Sequence, residues 1–268
     1  MGANAIDRFL RSGAFAVALL AGPVAGRSEA VPEAPKYGLG NGESLTYTVR
    51  WGIIPSVGRI TIAAEAIGQG PDAVLRVTTT TATVGLARGL FRFDGRGESV
   101  YQASTGLLLS SSEWSSYRDK VVKNTITFNY DARMATYTDE INPKNSRPIR
   151  MPPGDPADLI LALIATRNWV IPPGGSRDAL VIFQDQFFPL TIRPEPEPEL
   201  VFTSLGIFKA TVLVPRMEKT PPIGMFKRGS TVRVWIANQD ARHLPVRFEV
   251  GFRFGTGTAT LLDYSGPK

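Results

Sequence analysis

The chain has one histidine, His243, and no cysteine. A Ser-His-Asp triad would therefore have to run through His243, with Asp240 near it in sequence and a distant serine as nucleophile. No G-x-S-x-G elbow is present, and His243 borders a turn at Asn238–Ala241, where a solvated side chain is the simpler expectation. The carboxylate pairs Asp94/Glu98 and Glu113/Asp119 have the composition of a glycosidase dyad. They lie on alternating segments, where solvated or ion-paired carboxylates are expected instead. Zinc bound by thiolates or by a histidine cluster is excluded by composition. Gly95-Arg96-Gly97 and Gly255-Thr256-Gly257 precede no helix start, so they are not phosphate loops. The spaced Asp/Asn pattern of a calcium loop is absent. These residues point to no metal or cofactor and to no catalytic set. The one suggestive arrangement is aromatic: Trp235 with Arg233 beside it and Arg247 on the next arm. Those three residues either stack as a cation–π group on a sheet surface or form a ligand- or partner-facing wall.

That arrangement sits in the segment that dictates the fold. From Thr231 to Phe254 the sequence is a long hairpin. Val232, Val234 and Ile236 alternate with Thr231, Arg233 and Trp235. Leu244, Val246, Phe248, Val250, Phe252 and Phe254 alternate with Arg247, Glu249 and Arg253. Period 2 with one apolar face marks two half-buried strands, and Asn238 to Ala241 supply the turn.

The remaining segments repeat the theme. Residues 31–43 (V-P-E-A-P-K-Y-G-L-G-N-G-E) read as a flexible lead-in to a single β-rich domain over 44–265. Leu45, Tyr47, Val49 and Trp51 form one strand face, and Ile60, Ile62, Ala64 and Ala66 the next. Further strands are expected over Ala73–Thr83, Arg92–Tyr101, Leu107–Tyr117, Val121–Tyr130 and Arg133–Glu140. Val84–Phe91 between them reads as a turn or one helical loop. Gly95 and Gly97 leave space on their strand face. Pro194–Glu199 (P-E-P-E-P-E) lacks the donors for a regular ladder and reads as a stiff connector. Pro215–Gly229 is a loop carrying exposed-looking Met217, Ile223, Met225 and Phe226.

One stretch has a different period. Near 155–167, Leu159, Ile160, Leu163 and Ile164 form a helical stripe, with Asp155 as N-cap and Pro156 at the first helical position. A lone apolar helix in a β chain covers the open face of a curved sheet. The fold class is therefore mainly β: a single curved antiparallel sheet or open barrel with one core-covering helix. Leu163, on that stripe, joins Trp235, Arg233 and Arg247 as a candidate ligand- or partner-facing residue.

Residues 1–30 have the form of a cleavable signal peptide. Arg8 and Arg11 precede the short apolar run Gly13–Ala21, and small residues at Ser28 and Ala30 allow cleavage after Ala30, or after Gly26. The run is too short for a transmembrane anchor. Of the 268 residues, 43% are apolar, enough for a core without disulfides. The net charge of +6 is scattered rather than gathered into a stripe, which argues against nucleic acid as a partner.

Val234-Trp235-Ile236, Asp240, Arg242 and Leu244-Pro245-Val246 together resemble the closing signature of the bacterial domain of unknown function 3108 family. Gly42–Gly58 (G-E-S-L-T-Y-T-V-R-W-G-I-I-P-S-V-G) and Leu205–Val212 (L-G-I-F-K-A-T-V) resemble it as well. The resemblance implies an exported β-rich protein and carries over no catalytic residue. A looser likeness in element order links the chain to the curved half-barrels of LolA- and LolB-type periplasmic carriers, an analogy of fold only. The expectation is a non-catalytic periplasmic protein that binds an apolar ligand, a lipid or an envelope protein. A hydrolase-type enzyme and a structural interaction protein are the alternatives. Oligomeric state is not legible.

Overall fold

The computed structural model describes residues 38–238, 241–253 and 255–268, all within one unit running from Ala34 to Lys268. The expected signal peptide, the first part of the lead-in, Asp240 and Phe254 lie outside the described residues.

The first half of the chain is a meander. Its strands are β1 (Ser44–Trp51), β2 (Ile54–Ile67) and β3 (Val74–Thr83), then, after helix α1 (Gly85–Leu90), β4 (Phe93–Gln102), β5 (Leu108–Tyr117), β6 (Lys120–Asn129), β7 (Met134–Asp139) and β8 (Arg147–Arg150). The second half begins with β9 (Ala157–Asp158) and helix α2 (Leu159–Ala165). It continues through β10 (Arg177–Phe183), β11 (Gln186–Pro194), β12 (Glu199–Thr203), β13 (Gly206–Arg216), β14 (Thr231–Ala237), β15 (Pro245–Phe252) and β16 (Gly255–Ser265).

All sixteen strands form one sheet. The first and last strands pair antiparallel at its middle, from Ser44↔Ser265 to Trp51↔Gly257, and so join the two halves. Among the described residues no ladder links β8 to β9 at the far edges, so the sheet is curved but not closed. The two flanks meet through side chains instead. Arg147 of β8 pairs with Asp185 in the β10–β11 turn, and Phe128 of β6 meets Phe187 of β11 edge to face at 6.4 Å.

The alternation read from β1, β2 and β14 holds: Leu45, Tyr47, Ile62, Ala64, Val232, Val234 and Ile236 are buried. Helix α2 fills the hollow of the sheet. Leu159, Leu161, Ala162, Leu163 and Ile164 are all buried, so it is apolar all round rather than striped.

Its start differs from expectation. The helix begins at Leu159 and Asp158, not Asp155, is the N-cap: its Oδ1 accepts from Leu161 N at 3.0 Å. Residues 157 and 158 are extended because they pair in parallel with Val181 and Ile182 of β10. Tyr101 Oη donates to Asp158 Oδ2 at 2.8 Å and holds that carboxyl in place. Both aspartates suit a cap, and the tertiary partners decide which one is used.

Two further segments are more ordered than their composition implies. The fold starts before Ser44: Leu39 is fully buried and Glu43 nearly so. Gly38 (φ +76°) passes so close to α2 that a Cβ there would lie 2.8 Å from Ala165 Cα. In the β13–β14 loop, Met217, Ile223, Met225 and Phe226 are not exposed. They pack on a cluster that includes Leu159, Leu163, Phe188 and Val234.

Candidate ligand-binding site

Between α2 and the sheet lies a cavity of about 250 Å³ with an almost entirely carbon wall. Alternate residues of neighbouring strands build one side: Tyr47 and Val49, Ile60 and Ile62, Val232, Phe248 and Val250, Ala259. Leu159, Ile160 and Leu163 of α2 and Met225 of the β13–β14 loop build the other. The Tyr47 hydroxyl donates to Pro245 O at 2.8 Å, and burial holds its pKa far above the ordinary tyrosine range. The Tyr47 ring packs edge-on against Phe248 at 5.3 Å.

Next to this cavity is a second hollow of about 240 Å³, lined differently. Strands β3 to β6 contribute Thr79 and Thr81, Gly95, Gly97 and Ser99, Ser111, Glu113 and Ser115, and Asn124. Small and hydroxylic residues at period 2 cannot fill the curve of the sheet, so they leave a trough with a polar stripe along one wall, while Val77, Phe93, Ile126, Ile182 and Phe183 keep most of its surface apolar. Leu159, Ile160 and Met225 border both spaces. The apolar cavity and the trough with its polar stripe thus adjoin around the first turn of α2. Glu113 accepts from Asn124 Nδ2 at 3.4 Å, and Ser99 Oγ donates to Ser111 Oγ at 3.3 Å.

Asp158 also lines the trough. Loss of hydration raises its carboxyl pKa, while the hydrogen bonds from Leu161 N and Tyr101 act the other way without overcoming it. A carboxyl with a raised folded pKa binds its proton more readily in the folded state. Its contribution to stability is therefore fully present below the unfolded pKa of about 3.9 and is lost as pH rises through the folded value. In urea unfolding, Asp158→Asn, which keeps a capping side chain, should gain stability relative to the parent as pH rises from about 4, because only the parent loses this contribution. Equal pH slopes in the two proteins would refute this assignment.

Of the four residues singled out from sequence, Trp235, Arg233 and Arg247 are brought together and Leu163 is not among them. Leu163 lines the apolar cavity. Trp235 lies on the opposite face of the sheet and is only 1% exposed, because the β12–β13 hairpin folds over it. Its Nε1 donates to Glu199 Oε2 at 2.9 Å, and the guanidinium groups of Arg233 and Arg247 lie 4.7 and 5.5 Å from its ring centre. Arg233 donates to Glu195 at 2.6 Å and Glu199 at 2.7 Å. Both acids come from the proline-rich connector, which supplies the counter-charges of the cation–π group. Trp235 Nε1 foremost, with Arg233, holds the Glu199 carboxyl below its usual pKa.

His243 is exposed and its Nδ1 lies 3.0 Å from Arg167 O. Asp94 is held by Arg88 at 2.8 Å, and Glu98 by Arg76 and Arg96, each at 3.5 Å, so these carboxylates are ion-paired. Among the described residues no group of three His, Cys, Asp or Glu is placed to hold a metal, and no helix is long and apolar enough to cross a membrane.

Reading from sequence missed the trough and its polar stripe of Asp158, Glu113 and Asn124. Its traces were the bare face Gly95-x-Gly97-x-Ser99 and the serine alternation of β5, each visible alone. That they adjoin the head of α2 was not.

Residues 46–262 match the family described as "Protein of unknown function (DUF3108)". A search of curated proteins returned no match. Among solved structures, a β-barrel-like protein of domain of unknown function DUF1849 from Brucella abortus aligns with a TM-score of 0.51 at 6% identity, covering 86% of this chain and 99% of that one. The hypothetical protein CT021 from Chlamydia trachomatis aligns at 7% identity with a TM-score of 0.34, over 84% and 87% of the two chains.

Proposed function

The chain belongs to the DUF3108 family, whose name assigns no activity, and from that premise we propose that it is an exported, non-catalytic carrier of an amphiphilic ligand such as a lipid. The observation that carries this reading is the pairing of cavities at the head of α2. A chain of methylenes suits the carbon-walled space beside Leu163, and a polar head suits the hydroxylic stripe of the adjoining trough beside Ser99 and Asn124. The carboxylates of the trough already have partners, Glu113 with Asn124 and Asp158 with Tyr101, which favours binding over catalysis. Arg8, Arg11 and the apolar run Gly13–Ala21 support export, and in this reading the carrier works in the periplasm with lipids or envelope proteins as its partners.

Native mass spectrometry of the protein purified from the envelope fraction tests this. The expected spectrum shows an added mass that is released on denaturation and extracts as a lipid. Ala259 lines the cavity, so Ala259→Phe should fill it, keep the fold and abolish the added mass. An empty parent protein, or a variant that still carries the ligand, would overturn the reading.

A further inference from the structure

Helix α1 has an unusual orientation. It buries none of its residues: Leu86 is 92% and Leu90 88% exposed, and they stand four apart on one face. This is a held geometry. Arg88, between them, donates to Thr83 O at 3.1 Å and makes two bonds to Asp94, at 2.8 and 3.0 Å, which pins the helix with its leucines outward.

Neighbouring turns at the same end of the sheet carry more of the same. Ile53, in the β1–β2 turn, is 99% exposed. That turn is fixed to β16 by Gly52 N donating to Thr256 O at 2.8 Å, and β2 is fixed to the start of α1 by Val84 N donating to Val57 O at 3.0 Å. Phe91, just after α1, packs on Tyr117 at the end of β5 with ring centres 4.4 Å apart. The turns at the opposite end of β2 to β7, residues 68–73, 103–107 and 130–133, hold no large exposed apolar side chain.

The charge at this end is one-sided. Arg92, Arg118, Lys120, Lys227, Arg228 and Arg253 are exposed there, while the acids of the same turns are Asp94, held by Arg88 and Arg92, Glu218, held by Arg193, and Asp119. The apolar cavity lies at this end too: Val49, Val250 and Gly257 in its wall are the strand ends that lead into these turns.

From the outward leucines, the basic rim and the cavity beneath them, we infer that this end of the sheet docks on an anionic lipid bilayer, with Ile53, Leu86 and Leu90 entering the interface. Apolar side chains ringed by lysine and arginine match a surface that has acyl chains below and negative headgroups above. The inference deepens the carrier reading, on which it rests, by naming the surface from which the amphiphile is taken.

Flotation of the purified chain with phosphatidylglycerol/phosphatidylethanolamine vesicles tests it. The parent should float with these vesicles, float about tenfold less with phosphatidylcholine vesicles, and be released by about 0.5 M salt. Ile53→Asp/Leu86→Asp/Leu90→Asp, at positions that contribute almost no burial, should keep the parent's thermal transition and lose binding at least about tenfold. Arg118→Glu/Lys120→Glu should weaken binding to anionic vesicles only. Leu200→Asp/Phe202→Asp alters a separate exposed apolar pair, on β12, and should change nothing. Binding unaffected by the triple variant, binding lost with the β12 variant, or a concentration-dependent dimer that the triple variant abolishes in place of vesicle binding would each overturn the inference. Ligand retention, read separately by native mass spectrometry, keeps the two ideas apart. A parent protein that carries ligand but does not float sinks only the docking surface, and a parent that floats with an empty cavity sinks only the carrier.

Discussion

Replacing Leu163 with Asp is expected to abolish folding, whereas Leu163→Ala should leave a folded protein destabilised by ~2–5 kcal/mol. Leu163 is 5% exposed and packs in a cluster with Leu159, Val181, Phe188, Leu190 and Val234. A carboxylate there would lose its hydration among apolar side chains. For the alanine variant the lost burial and the enlarged cavity add, but Leu163 already borders empty space. Part of its contact is therefore missing in the parent, which places the cost toward the lower end of the range. Urea denaturation followed by circular dichroism measures both. A cooperative transition for Leu163→Asp at the parent's midpoint would show that α2 is not the plug of the sheet.

Glu43→Ala should cost about 3–5 kcal/mol, a large effect for a residue that no site contains. Glu43 is 3% exposed and pairs with Arg167, itself 8% exposed, at 2.6 Å. The remaining valences are filled. Glu43 Oε2 accepts from Gly40 N at 2.8 Å, Arg167 Nη1 donates to Gly38 O at 2.9 Å, and Arg167 Nε donates to Arg242 O at 3.0 Å. This knot ties the entry of the chain, the segment after α2 and the β14–β15 turn to one another. Removing the acid leaves a buried guanidinium without its counter-charge, and added salt should not relieve the loss because the pair is shielded from solvent. In a double-mutant cycle, Glu43→Leu/Arg167→Met should cost less than the sum of its single variants. Strict additivity would mean that the two side chains do not act as a pair.

The amphiphile reading and the docking end place demands on different parts of the molecule. Retention depends on Ala259 and Leu163 inside, and docking on Ile53, Leu86 and Leu90 outside. The β13–β14 loop connects the two. Met225 borders both the apolar cavity and the trough, and Lys227 and Arg228 follow it at the basic rim.

The strand pattern was legible because period 2 is a local property: each of Leu45, Tyr47, Ile62, Val232, Val234 and Ile236 declares its face through its immediate neighbours. The apolar helix was legible for the same reason, since seven successive apolar residues after an aspartate leave few alternatives. The family was legible in Val234-Trp235-Ile236 and Leu244-Pro245-Val246, and the match over 46–262 bears that out. Tertiary structure decided whatever depended on distant partners. Trp235 alternates away from the aliphatic row, which locally means solvent, yet the β12–β13 hairpin buries it and the connector's Glu199 satisfies its N–H. Asp155 and Asp158 are equivalent as caps until β10 and Tyr101 select Asp158. The Gly- and Pro-rich entry looks free until Arg167, 124 residues later in sequence, claims Glu43. The site has the same origin. Glycines of β4, serines of β5 and the start of α2 acquire a joint meaning only when the sheet curls, because a cavity belongs to the spacing between elements and not to any one of them.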